Sequence, residues 1–156
     1  MAMEILERVL AEHSFFKGLE RPYLQLLAEC ASRVRFDVGE VIFREGEESN
    51  LFYLIRHGKV AVETFVPNRG PVIIQTLGEA EVLGWSWLIP PYRRRFEARA
   101  IELTRAIAVN GECIRDRCEE DHDFGYELMK RVSHIMDQRL QATRLQLLDV
   151  YDRVGC

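Results

Sequence analysis

The chain has 156 residues, 47% of them hydrophobic and 29% charged, enough for one sizeable core and too apolar for disorder. Its 21 Lys+Arg against 25 Asp+Glu give a net charge of −4, which excludes a general electrostatic pull toward nucleic acid, so any anion binding must be local. The start, MAMEILERVL, carries acidic residues where a secretion signal needs basic ones, and no segment has the apolar length of a membrane span. The expected location is the cytoplasm, with no membrane contact.

Ile5, Leu6, Val9 and Leu10 recur at helical spacing near the N-terminus. A second short helix fits RPYLQLLAECA, where Pro22 suits the first turn and Leu24, Leu27, Ala28 and Ala31 share a face. Between the two, HSFFKGL is an aromatic hinge that plugs a core. Cys30, Cys113, Cys118 and Cys156 form no C-x-x-C pair and the four histidines are scattered. Neither zinc nor a disulfide framework is expected, and Cys30 reads as a small core residue.

From Val34 the period becomes two. Short β-rich runs are cut at Gly39-Glu40, Gly46-Glu47, Gly58-Lys59, the PNRG turn at Pro67–Gly70 and Gly78-Glu79. Two further strands, near Phe96–Leu103 and Arg105–Asn110, bring the total to about eight, which argues for a sandwich or jelly roll rather than a parallel sheet. GECIRDRCEED is then a short helix or turn. Asp121 or Asp123 can cap a long helix running to about Tyr151. On that helix Leu128, Val132, Ile135, Leu140, Thr143, Leu147 and Val150 keep mostly three- and four-residue steps, and the distal part reads as a dimer seam, the alternative being that it folds back on its own roll. The expectation is one domain over residues 1–156: N-terminal helices to residue 32, a β roll over 33–110 and C-terminal helices over 111–156.

The stretch GEVIFREGEESNLFYLIRHGKV, from Gly39 to Val60, followed by a β roll and a long terminal helix, resembles the cyclic nucleotide-binding domain family. The resemblance covers nearly the whole chain. It implies a mainly β fold with flanking helices: an eight-stranded antiparallel jelly roll with N-terminal helices and a long C-terminal helix. It also implies that LGWSWL stands where the family carries its phosphate-binding cassette, a short helix whose backbone N–H groups face a cyclic phosphate, whose Glu takes the ribose hydroxyl and whose Arg pairs with the phosphate.

The cassette here is divergent. Gly84 fits, Ser86 keeps a hydroxyl, Trp85 stands at the ribose Glu, and the family spacing puts Arg94 at the phosphate arginine, with Arg93 or Arg95 taking the role if the loop shifts by one. Glu97 occupies a position that the family gives to Thr, Ser or Ala, and a pairing with Arg94, Arg95 or Arg99 is expected of it. Thr143 matches a residue that contacts adenine in bacterial activators, and Arg144 replaces a Ser there. The candidate ligand site is therefore Gly84, Trp85, Ser86, Arg94, Arg95, Glu97, Thr143 and Arg144.

Three functional readings follow. The first is a non-enzymatic regulatory sensor of the catabolite-activator type that takes a small anion, with cAMP or cGMP bound weakly, and relays its presence through a homodimer helix. The second is a scaffold whose pocket has lost its ligand. The third is the effector part of a transcription regulator: LLDVYDRVGC resembles the hinge before a winged helix, but no recognition helix follows it, so this chain is expected not to contact DNA itself. No nucleophile, carboxylate pair or Gly-rich nucleotide fingerprint argues for an enzyme, and no cofactor is certain.

Overall fold

Helix α1 (Ala2–Glu12) turns Leu6 and Leu10 inward, and α2 (Arg21–Glu29), with Pro22 in its first turn, buries Leu24, Leu27 and Ala28. The hinge between them is a 3-10 turn, Ser14–Phe16, with both phenylalanines buried. His13 caps it: the Phe15 N–H donates to His13 Nδ1 at 3.2 Å. A computed structural model of the chain describes residues 2–154, so Cys156 lies outside the described residues.

Eight strands follow among the described residues: β1 (Ala31–Phe36), β2 (Val41–Phe43), β3 (Leu51–His57), β4 (Val60–Val66), β5 (Gly70–Leu77), β6 (Val82–Leu83), β7 (Glu97–Ala100) and β8 (Thr104–Asn110). They form two four-stranded sheets, ordered β1-β8-β3-β6 and β2-β7-β4-β5, and every strand pair is antiparallel. This is the expected jelly roll.

The two faces of β3 explain why its sequence, FYLI, is apolar without a break. Phe52 and Leu54 face the helices, where they meet Leu10, Phe16, Leu27, Trp87 and Ile114. Tyr53 and Ile55 face the inside of the roll with Phe43, Val60, Val62 and Ala98. A strand covered on both sides loses the visible alternation of a half-exposed one. β8 repeats the arrangement, with Ile107 and Val109 on the helix side and Ala106 and Ala108 inside.

Helix α3 (Gly111–Glu120) starts at once after β8, capped by Asn110, whose Oδ1 accepts from the Cys113 N–H at 3.0 Å. Helix α4 (His122–Val154) has Asp121 at its start, accepting from the Phe124 N–H at 3.1 Å. The apolar stripe of α4 divides. Leu128 and Val132 are buried in the chain's own core and Ile135 packs against it, whereas Leu140, Leu147 and Val150 are exposed.

Two sequence expectations are overturned. Ala31, expected on the apolar face of the second helix, lies beyond the end of α2 and opens β1, paired with Val109. The second concerns a cysteine. Cys30, expected as a lone core thiol, is bonded to Cys113, with the two Cα atoms 5.9 Å apart across a sequence separation of 83. The end of α2 and the first turn of α3 converge there: the Asn110 N–H donates to the Cys30 carbonyl at 2.8 Å. Cys118 is the free cysteine among the described residues, and burial raises its thiol to about 11.

His13 gives the fold a pH dependence. Burial pushes its pKa below the ordinary 6.5, and the nearby backbone of Ile55 and Glu81, which favours the protonated ring, only partly opposes this. Below that pH the unfolded chain binds the proton more readily than the folded one, so the contribution is present above about pH 6.5 and is lost as the pH falls further. The melting temperature should fall between pH 7.5 and 5.5, and His13→Gln should flatten that fall, by at most about 1.4 kcal/mol per pH unit. Thermal unfolding of both proteins across the range checks this; identical slopes would contradict it.

Candidate functional site

After β6 the chain turns at Gly84, whose φ is +87°. Trp85 follows, then a single 3-10 turn, Ser86–Leu88, which ends before the cis Pro90-Pro91 bond. The cassette is thus one turn and not the helix that the resemblance implies, because two prolines remove the donors a longer helix would need. The chain then runs back antiparallel to residues 46–49. The Ser49 N–H donates to the Tyr92 carbonyl at 2.7 Å, the Arg94 N–H to the Glu47 carbonyl at 2.8 Å, and the Gly46 N–H to the Arg94 carbonyl at 2.8 Å.

Successive residues of an extended segment point to opposite sides, which sorts the three arginines. Arg93 and Arg95 are exposed, and Arg94 between them is only 4% exposed. Its guanidinium lies 4.0 Å from the centre of the Phe43 ring, and its Nη2 donates to the Leu51 carbonyl. Its Nε and Nη1 are buried without a hydrogen-bond partner, as is the hydroxyl of fully buried Ser49. Burial pushes the arginine's pKa down, while Tyr53 and Glu47 hold it up. Gly84 suits the turn beside it through its positive φ, and a Cβ there would sit 2.6 Å from Nη1, so the guanidinium would have to shift. Each missing hydrogen bond on such a group costs about 1–3 kcal/mol, and burial of the charge adds to that.

Glu97 is elsewhere. It pairs across the sheet with Glu63, while its neighbour Ala98 pairs with Val62 inside the roll, so Glu97 faces outward. Its carboxylate meets Arg44 at 3.1 Å, and Arg99 is taken by the buried Glu63. The expected pairing of Glu97 with Arg94, Arg95 or Arg99 is replaced by these two ion pairs, which also relieve the two carboxylates placed opposite each other. Trp85 is half-buried and Ser86 buried. Thr143 and Arg144 lie on the exposed part of α4, with the Thr143 hydroxyl donating to the Arg139 carbonyl at 2.9 Å. The structure therefore brings Gly84 against Arg94, leaves Arg95 and Glu97 on outer faces, and sets Thr143 and Arg144 apart on α4.

Sequence reasoning missed Phe43, Ser49 and the Leu51 carbonyl, which complete the surroundings of Arg94. Phe43 and Ser49 both fall inside the glycine-punctuated stretch that carries the resemblance. The Leu51 carbonyl, being backbone, leaves no mark in a sequence.

The cassette is tied to α3. Trp87 stacks on Phe52 with ring centres 4.8 Å apart and presses on Gly111, where a Cβ would meet the Trp87 Cβ at 2.6 Å. Arg115 donates to the Trp87 carbonyl and stacks over Tyr92 at 4.0 Å. Farther along, α4 crosses the roll. Arg139 donates to the Val82 carbonyl and Gln146 Nε2 to the Ile74 carbonyl at 2.8 Å, beside a cleft of about 910 Å³ lined by Phe15, Leu77, Val82, Arg131 and Ile135.

A jelly roll with a glycine-led turn facing one inward arginine defines a class of binding domain. The chain belongs to the cyclic nucleotide-binding domain family, whose sequence model matches residues 33–121. It is 23% identical over 145 residues to the CRP-like cAMP-activated global transcriptional regulator of Mycobacterium tuberculosis, covering 93% of this chain and 63% of that protein. It is 34% identical over 77 residues to human cGMP-dependent protein kinase 2, covering 49% of this chain and 10% of the kinase. The solved structure of a protein of this family from Geobacter metallireducens is similar at 26% identity, with a TM-score of 0.75, covering 90% of this chain and 98% of that one. This chain thus spans less than two thirds of the mycobacterial regulator and a small part of the kinase. Among the described residues no helix is long and apolar enough to cross a membrane.

Proposed function

We propose that the chain is a regulatory module that binds a small anionic ligand at Arg94 and passes the event to a homodimer helix, α4. The observation that carries this is the buried arginine with two of its guanidinium nitrogens unpaired. A fold needs no such group, whereas an anion would satisfy it through the fork of donors that arginine presents. The relatives named as cAMP-activated or cGMP-dependent make a cyclic nucleotide the first ligand to try. Trp85, standing where the ribose carboxylate is missing, argues that cAMP and cGMP bind weakly and that another anion is the preferred ligand. Trp85 would then cover the ligand as a lid, with Ser86 at the cassette turn, while Thr143 and Arg144, which this chain's own α4 holds apart from Arg94, would reach a ligand only from the α4 of the second copy.

Titration calorimetry with cAMP and cGMP tests the site. Dissociation constants above the micromolar range are expected for the wild type, no binding for Arg94→Ala, and at least about a tenfold gain for Trp85→Glu, which restores a charge-assisted bond and removes bulk. Submicromolar binding by the wild type, or equal binding by Arg94→Ala, would contradict the reading.

The exposed Leu140, Leu147 and Val150 supply the seam for the second copy. Wild-type protein should scatter light as a dimer and the double variant Leu140→Glu/Leu147→Glu as a monomer. An unaltered dimer in the variant would move the interface elsewhere.

A further inference from the structure

Two cysteines meet where the cassette is held to α3. Cys30 is the C-terminal cap of α2, and Cys113 lies in the first turn of α3. Two residues before Cys113, Gly111 receives Trp87; two residues after it, Arg115 holds the Trp87 carbonyl and the Tyr92 ring. The same short turn therefore grips both ends of the cassette loop, and the Cys30–Cys113 bond fastens that turn to α2.

We propose that this disulfide is a reversible redox lock on the cassette, giving the domain a second input: the thiol–disulfide state of its surroundings. Disulfides in reducing compartments are mostly of this transient, sensing kind. Cys113 is the half-exposed partner and Cys30 the buried one, so the thiolate of an external thiol attacks the Cys113 sulfur. That step forms a mixed disulfide and expels Cys30, which takes up a proton. A second external thiol attacks the mixed disulfide and frees Cys113. In total, two external thiols are oxidised to one disulfide, and Cys30 and Cys113 are reduced to two thiols by two electrons and two protons. With the bond intact, Trp87 cannot shift without dragging α3 against α2. With it broken, α3 is held by noncovalent contacts alone and can follow the cassette.

The lock regulates the anion site proposed above and rests on that reading for its effect on affinity, but not for its effect on the loop. Non-reducing peptide mapping after treatment with oxidised glutathione should recover a Cys30–Cys113 cross-linked peptide. Hydrogen exchange of residues 85–92 and 111–117 should then be at least threefold faster after dithiothreitol, and the dissociation constant for cAMP as probe at least threefold lower. Cys30→Ser/Cys113→Ser should behave as the reduced form with or without dithiothreitol. Absence of the cross-linked peptide, or equal exchange in the two redox states, would overturn the lock. Faster exchange on reduction with no cAMP binding in either state would uphold the lock and overturn the anion reading for that probe.

Discussion

The structure turns on one burial: a guanidinium held inside a β roll with most of its hydrogen-bonding capacity unused. Arg94 reaches that position because two backbone hydrogen bonds to the Gly46–Glu47 segment fix the direction in which it points. Gly84 lets it stay there, since a Cβ at that position would displace Nη1. Phe43 offers the face of a ring and Leu51 one carbonyl oxygen. Those contacts only partly offset the cost of removing a charge from water. Replacing a buried charge by an apolar residue of similar size is often neutral or stabilising, and on the proposed reading the arginine is kept for what it binds rather than for what it holds together.

On the proposed reading, the site acts as a switch through its mechanical connection. The loop that presents Arg94 begins at Trp87, which is locked between Phe52 and Gly111, and passes Tyr92, which lies under Arg115. A shift of the loop is felt first by α3 and then by α4, whose start is packed in the same core through Phe124 and Leu128. A ligand moves this equilibrium only by binding one arrangement better than the other. In the proposed function the unpaired donors of Arg94 would supply such a difference, and α4, with its distal half exposed, would report it.

The roll was legible because its turns are written in glycines at fixed spacings and its strands in apolar runs. The inward choice of Arg94 was legible from family spacing, and the alternation of an extended segment explains it. Glu97 was misread because a family position says which strand a residue is on, while the face is set by its neighbours; buried Ala98 and Ala100 mark the inner face and leave Glu97 outside. The Cys30–Cys113 bond was out of reach, since it depends on two helix ends meeting across 83 residues of chain. The ending of the cassette after one turn was written in Pro90-Pro91 but was outweighed by the family pattern.

The most direct test of the central claim is the stability of ligand-free Arg94→Met, measured by urea unfolding with binding partners absent. A residue kept for a ligand at the expense of the fold should, when replaced by an apolar side chain of similar length, leave the protein about 1 kcal/mol more stable, or at least no less stable. A loss of about 3 kcal/mol or more, of the size seen when a buried structural network is broken, would mean that Arg94 holds the roll together and that its burial says nothing about a ligand.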